Sequence, residues 1–109
     1  MAVIKGGTVY IGRDNTLDWQ LTEDHGVLPA EQAEAITRAL LVTDVVTVDS
    51  DTDPGLVSGL GTDTLSWQLG HVPELAPLVG QTIPVRLVVF APEYPAGLVW
   101  ADNIQVVVQ

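Results

Sequence analysis

The first candidate for chemistry is an acidic segment in which Asp49, Asp51 and Asp53 occupy alternate positions. Carboxylates spaced in this way can surround a calcium ion, because calcium binds several oxygen ligands at short range. The helix-loop-helix calcium site also needs glycine at position 6 and glutamate at position 12 of its loop. Here those positions hold Pro54 and Leu60. We therefore predict no cofactor and an acidic turn whose side chains bond their own backbone, and we keep calcium as the weaker alternative.

The remaining residues that could do chemistry form no recognisable catalytic motif. His25 and His71 are far apart in the chain, neither belongs to an H-x-x-x-H pattern, and a zinc site lacks further ligands. No serine lies in a G-x-S-x-G turn, and the glycine-rich residues 55–61 lack the lysine of a phosphate-binding loop. We predict surface-loop histidines, no catalytic residues and no enzymatic activity. A paired-carboxylate site stays open at this point, because a sequence does not show which acids meet in space.

Aromatic residues are the candidates for ligand contacts. Trp19 and Trp67 lie in the middle of segments with alternating apolar residues, so we predict that both are core residues. Trp100 and Tyr94 lie in or beside a segment rich in proline and glycine. We predict that these two side chains take part in interactions.

The N-terminal residues 1–7 are predicted to form an arm ahead of a single domain at residues 8–109. Val3 and Ile4 are apolar, but the Gly6-Gly7 pair that follows would weaken a strand. Such an arm could add a strand to a neighbouring sheet. We therefore include Val3 and Ile4 among the predicted interaction residues.

The element that must position these residues is a predicted hairpin at residues 82–108. Its first strand has an apolar residue at every second position, which places those side chains on one face: Ile83, Val85, Leu87 and Val89. The opposite face is only partly polar, because it carries Pro84, Arg86, Val88 and Phe90. Residues 91–97 are rich in proline and glycine and are predicted to form the turn.

Shorter strands are predicted at residues 8–11, 16–22, 36–43, 45–48, 56–57 and 64–69. Helical turns are predicted at residues 29–35 and 73–76, with a single helix reaching residue 41 as the alternative to the first turn and the strand after it. Short strands separated by turns every eight to twelve residues are typical of a β-sandwich. The predicted fold is therefore all-β, an antiparallel β-sandwich of about seven strands with one or two short helical turns.

Composition restricts the partners. The chain has 109 residues, with 4 Lys and Arg against 14 Asp and Glu, and a formal net charge of −10. This charge repels phosphate backbones and anionic membrane surfaces, so neither nucleic acid nor membrane is expected as a partner. Apolar residues make up 47% of the chain. Either a valine-rich β core or surface covered by partner subunits explains that fraction.

Three segments carry a family resemblance: residues 9–15 (VYIGRDN), 48–55 (VDSDTDPG) and 86–100 (RLVVFAPEYPAGLVW). In this order they resemble small proteins encoded by tailed bacteriophages and prophages, and the immunoglobulin-like domains of phage virion and baseplate components. The resemblance implies that the β-sandwich is immunoglobulin-like. It also implies a structural virion protein: a capsid decoration or minor capsid protein, or a tail or baseplate accessory. It further implies protein–protein assembly in several copies or as a homo-oligomer, with capsid or tail proteins as partners. The chain would be made in the host cytoplasm and located in the virion.

Two other functions stay open. One is a carbohydrate- or ligand-binding sandwich used in host attachment with the help of calcium, which predicts that Trp100 or Tyr94 is exposed beside a groove. The other is a small regulatory protein that binds a bacterial partner through its acidic surface.

Overall fold

The computed structural model describes residues 6–23, 26–27 and 29–109. Within these residues the chain forms ten strands and one short α-helix. In chain order they are β1 (Gly7–Val9), β2 (Leu17–Gln20), β3 (Thr22–Glu23), β4 (Gly26–Val27), α1 (Ala30–Glu34), β5 (Arg38–Val42), β6 (Thr47–Asp49), β7 (Val57–Ser58), β8 (Thr64–Trp67), β9 (Thr82–Ala91) and β10 (Tyr94–Val108). Two 3₁₀ turns, Pro54–Leu56 and Pro73–Leu78, complete the described structure.

The strands form two main sheets and one small hairpin. The larger sheet has the order β1-β10-β9-β5-β6 and the smaller one has the order β2-β8-β7. Among the described strands, β3 pairs with β4 alone. The all-β prediction is confirmed. Pairing is antiparallel throughout with one exception, since β1 runs parallel to the end of β10, where Gly7 lies opposite Val106. The two main sheets together contain eight strands, against about seven predicted.

The strand order of the two main sheets follows that of immunoglobulin-like sandwiches. Such domains place strands B, E and D in one sheet, and strands C, F and G, with C′ in the variable type, in the other. The orders β2-β8-β7 and β6-β5-β9-β10 have the same arrangement. The core differs from that of antibody domains, which build theirs around a disulfide between the sheets, because this chain has no cysteine.

The core lies between the two main sheets. Trp19 of β2 and Trp67 of β8 are 1% and 0% exposed, and their ring centroids lie 5.9 Å apart with the planes tilted by 58°. The prediction that both are core residues is confirmed. The larger sheet contributes alternate residues of its strands, as period-2 alternation requires: Ala39, Leu41, Val48, Val85, Leu87, Val89, Ile104 and Val106.

The hairpin is the longest element, as predicted, but its turn is shorter than the predicted residues 91–97. Strand β9 ends at Ala91 and β10 begins at Tyr94, so Pro92 and Glu93 alone connect them. The pairing register shifts between Tyr94 and Leu98. The proline and glycine that predicted a turn therefore occupy an irregular part of the strand. Proline fits there because it cannot donate a ladder hydrogen bond.

Residues 29–42 form a helical turn and then a strand, so the single-helix alternative is wrong. Helix α1 has Pro29 at its N-cap position and ends at Glu34. The backbone N–H of Thr37 donates to the carbonyl of Phe90 at 2.9 Å. Pairing with the edge of β9 therefore replaces the next helical turn, and the β-branched residues Ile36 and Thr37 favour that outcome.

Candidate interaction surface

The acidic segment is held by Arg38. The Nε of Arg38 donates to Oδ1 of Asp49 at 3.0 Å, and its second terminal nitrogen donates to Oδ2, so the contact is bidentate. This pairing lowers the pKa of the Asp49 carboxyl below its ordinary value, chiefly through the hydrogen bond from the guanidinium. Arg38 also lies 3.4 Å from Asp51 and sits over the ring of Phe90, 4.8 Å from its centroid. The segment is thus joined to the outer face of the larger sheet.

Besides the contacts with Arg38, the acidic segment has hydrogen bonds from its own backbone to its carboxylates. Asp51 donates its backbone N–H to Oδ1 of Asp49 at 2.9 Å, and Asp49 donates its own to Oδ2 of Asp53 at 3.4 Å. This agrees with the predicted acidic turn. In the part of the chain that the structure describes, no group of three or more His, Cys, Asp or Glu side chains could hold a metal ion.

His71 lies on the surface, as predicted, and His25 lies outside the described residues. The Nε2 of His71 is 2.8 Å from Oδ1 of Asp14, and both side chains are exposed. This contact joins the turn after β1 to the link after β8. Within the described ranges, no group of three or more His, Cys, Asp or Glu side chains forms around this pair.

The aromatic candidates of the hairpin are less accessible than predicted. Tyr94 and Trp100 are both half-buried and pack against the core cluster. The Nε1 atom of Trp100 is enclosed and has no hydrogen-bond partner among the described residues. Neither ring forms an open stacking platform. The other two predicted interaction residues, Val3 and Ile4, lie outside the described residues.

The two outer faces of the sandwich differ sharply in polarity. On the smaller sheet, the side chains that point away from the core are all polar: Asp18, Gln20, Ser58, Thr64 and Ser66. On the larger sheet, five outward side chains of three adjacent strands are apolar: Leu40 and Val42 of β5, Val88 and Phe90 of β9, and Val99 of β10. Other outward positions of this sheet are polar, among them Arg38, Asp49, Arg86 and Gln105. We call the five apolar residues the apolar face.

Strand register makes the apolar face continuous. Leu40 lies directly opposite Val88, and Val99 lies opposite Val88 on its other side, so three strands contribute one row. Four of the five side chains are half-buried, because each is covered by its neighbours, and Val99 is 42% exposed. Gly97 leaves space for this packing, since a Cβ there would lie 2.8 Å from the Phe90 ring.

Two ion pairs flank the apolar face. Arg38 and Asp49 form one, and Arg86 and Asp102, 3.1 Å apart, form the other near the middle of β9. The hydrogen bond from Arg86 lowers the pKa of the Asp102 carboxyl. The other oxygen of that carboxylate accepts the backbone N–H of Asn103 at 2.8 Å. Asn103 has a positive φ of 52° within a register shift of β10, so this second pair is built on a bulge.

Beside the second ion pair lies an open groove of about 270 Å³. Ligand pockets usually enclose about 300–1,000 Å³ and are mostly apolar. The groove is smaller than this and contains no aromatic side chain. Its lining consists of Val42, Thr43, Asp44, Pro84, Val85, Arg86, Asp102 and Asn103. The geometry favours the rim of a contact surface over a binding pocket.

The residues of the apolar face are not among the interaction residues predicted from the sequence. The signal was present in β9, where Val88 and Phe90 make the second face of the strand only partly polar. The contribution of Leu40 and Val42 required knowing that β5 pairs with β9 in the middle of the sheet.

Comparisons with known proteins give no match: no family model, no curated protein and no solved structure matches this chain. None of the helices in the described ranges has the length and apolarity that crossing a membrane requires.

Proposed function

We propose that this protein is a non-enzymatic structural subunit that works by protein–protein assembly through the apolar face of its larger sheet. The observation that carries the proposal is the contrast between the two outer faces of one sandwich. Antiparallel sheets that face water normally alternate apolar and polar residues, as β2 and β8 do. The larger sheet departs from this rule over three adjacent strands.

Contiguous apolar surface that is exposed to water marks an interaction site. Leu40, Val88 and Val99 form a row that would gain free energy by leaving water, at roughly 25 cal/mol for each Å² of apolar surface buried. The bidentate contact of Arg38 with Asp49 leaves a planar charged pair at the rim. Interfaces commonly have such an arrangement, with an apolar centre and a polar rim that contains arginine.

The virion setting of the proposal comes from the resemblance of residues 9–15, 48–55 and 86–100 to proteins of tailed phages. In that setting the chain is a capsid decoration, minor capsid, tail or baseplate component present in several copies, and its partners are other virion proteins. Assembly through a sheet face needs no cofactor. The net charge of −10 is compatible with a subunit that avoids packaged nucleic acid.

Glycan binding in host attachment is the weaker function. It depended on Tyr94 or Trp100 standing exposed beside a groove, and both rings are half-buried. Calcium assistance depended on the acidic segment, where Asp49 is paired with Arg38.

The proposal is tested in particles purified from the strain that encodes the chain. Mass spectrometry should detect the protein in stable stoichiometry with capsid or tail proteins. A Val88→Asp variant supplied in its place should fold but be lost from the particles, because it places a charge in the centre of the apolar face.

A Ser66→Asp variant is the matched control. Val88 and Ser66 are both half-buried outer-face residues of central strands, but Ser66 lies on the polar side of the sandwich. This variant should be incorporated like the wild type. A protein that is expressed but absent from particles would contradict the proposal, and so would equal incorporation of both variants.

A further inference from the structure

We propose that the partner of the apolar face is a protein segment with a basic residue next to an apolar strip, and that its lysine or arginine side chain enters the groove beside Asp44. This inference rests on the proposed function, because it names the kind of partner that the same face would bind. Three features of the described residues favour such a partner: the charge around the face, one carboxylate of the rim, and the lining of the groove.

The charge around the apolar face is negative. Six charged side chains lie at its rim: Asp44, Asp49, Asp51, Asp102, Arg38 and Arg86. Four of them are negative and two are positive, so the charge of the rim is −2, within a chain whose net charge is −10. Protein interfaces place surfaces of opposite potential against each other. The face therefore repels an acidic partner and attracts a basic one.

Asp44 is the carboxylate of the rim that is left for a partner. The other three aspartates form ion pairs with Arg38 or Arg86, whereas Asp44 forms no ion pair and no hydrogen bond with any described residue. Asp44 is exposed in the turn between β5 and β6. The hydroxyl of Thr43 donates to the carbonyl of Val46 at 2.8 Å and accepts the N–H of the same residue at 3.0 Å. These bonds hold the turn, and with it the backbone of Asp44, in place.

The groove beside Asp44 offers a basic side chain an apolar wall as well as a carboxylate. Three of its lining residues are apolar: Val42, Pro84 and Val85. Lysine and arginine lay their aliphatic stems along apolar surface while their charged ends stay in water. The groove also contains Arg86, whose charge is balanced by Asp102 at 3.1 Å. Its volume of about 270 Å³ is below the range of pockets for drug-sized ligands and suits a single side chain.

The groove is continuous with the apolar face, because Val42 belongs to both. Along β9, the distance from Val85 to Val88 is roughly 10 Å at a rise of about 3.3 Å per residue. Side chains two and four positions apart in an extended segment point to the same side and are separated by about 7 and 13 Å. A partner strand with apolar residues two and four positions before its basic residue therefore reaches both the centre of the face and the groove.

The proposal is tested on the purified full chain with two capped peptides, Leu-Ser-Leu-Ser-Lys and Leu-Ser-Leu-Ser-Glu, which differ in the last side chain alone. Backbone amide shifts of the nitrogen-15-labelled protein measure binding and locate it. We expect the lysine peptide to bind about threefold more tightly or better, the gain of a partly exposed ion pair. Its shifts should fall on Val42, Asp44 and Val88, and those of Ser58 and Ser66 should not change.

Three variants separate the contributions of the groove, the overall charge and the apolar face. Asp44→Asn should remove most of the preference for the lysine peptide. Asp18→Asn gives the same net charge by a change on the outer face of the smaller sheet, so it should keep that preference. Val88→Ser should weaken the binding of both peptides, because it removes apolar contact without touching the groove. Circular dichroism and thermal melting establish that the variants are folded.

Equal affinity for the two peptides, or no binding of either at millimolar concentration, would overturn the inference. Shifts confined to the smaller sheet, or the same loss of preference in Asp44→Asn and Asp18→Asn, would also overturn it. If the inference fails in this way while the wild-type chain is incorporated into particles, the proposed function stands. A chain that binds the lysine peptide at the groove but is absent from particles would remove the proposed function and support the inference.

Discussion

The guanidinium of Arg38 makes three contacts on the outer face of the larger sheet, with Asp49, Asp51 and the ring of Phe90. Part of this arrangement could be predicted from the sequence, because alternating aspartates next to serine and threonine favour a turn bonded to its own backbone. The arginine could not be predicted as their partner. It lies 11 residues before Asp49, and only the pairing of β5 with β6 brings the two side chains together.

Because of this ion pair, we expect the free energy of unfolding to depend on pH. The pKa of Asp49 is lowered in the folded state, mainly by the hydrogen bond from Arg38, whereas the pKa of an aspartate in an unfolded chain is about 3.9. The unfolded state therefore binds the proton first as the pH falls. The contribution of Asp49 to the free energy of unfolding is complete above about pH 5 and is lost as the pH falls through its folded pKa.

We expect the Asp49→Asn variant to be less stable than the wild type at pH 7 and to lose less stability between pH 5 and pH 3. Urea denaturation at several pH values measures both effects. Asp18→Asn removes the same charge from an exposed position of β2, where Asp18 forms no ion pair with a described residue, and it serves as the control. Equal acid dependence in wild type and Asp49→Asn would show that this pair does not contribute to stability.

Among the elements, regular alternation predicted the strands well and turn composition predicted them poorly. The alternation of β2, β8 and β9 places Trp19, Trp67 and Leu87 in the core, as expected. Proline and glycine at residues 95–97 indicated a turn, but the structure continues β10 through them with a shifted register. Composition shows that regular pairing is interrupted, and it does not distinguish a bulge from a loop. That choice depends on the partner strand.

The link after β8 depends on one close approach between elements. A Cβ at Gly70 would lie 2.1 Å from the carbonyl oxygen of Arg13 and 2.6 Å from that of Tyr10, both backbone atoms. The carbonyl of Gly70 also accepts the N–H of Gly12 at 2.7 Å. The turn after β1 and the link after β8 therefore fit together only when no side chain is present at residue 70.

We expect Gly70→Ala to destabilise the fold by about 1–3 kcal/mol, the range for overpacking in a well-packed site. Gly55→Ala is the control, because no atom lies within 4 Å of its Cβ position and its φ is outside the left-handed region. Alanine there should be neutral or stabilising by about 0.4–1 kcal/mol. Thermal and urea denaturation compare the two variants. An equal effect at both positions would mean that the two segments are not in close contact.

For the whole molecule, the central feature is a sandwich in which the outer side chains of the smaller sheet are polar, while the larger sheet carries the five-residue apolar face between two ion pairs. The apolar residues of β9 on this face could be predicted from the sequence, since Val88 and Phe90 alternate with the core residues of that strand. Which strands lie beside β9, and therefore whether its apolar residues form a continuous surface, follows only from the sheet order. The high apolar content of the chain is explained in part by its core, which lies between the two main sheets; that partner subunits cover further apolar surface stays a prediction.

The proposed function requires that another protein molecule covers the apolar face when this protein is assembled. Carbene footprinting of the free and assembled forms tests it directly, whatever the partner is. We predict that labelling of Leu40, Val42, Val88 and Phe90 falls on assembly, while labelling of Ser58 and Ser66 stays the same. Unchanged labelling of the apolar face, or protection confined to the smaller sheet, would show that no partner covers the apolar face.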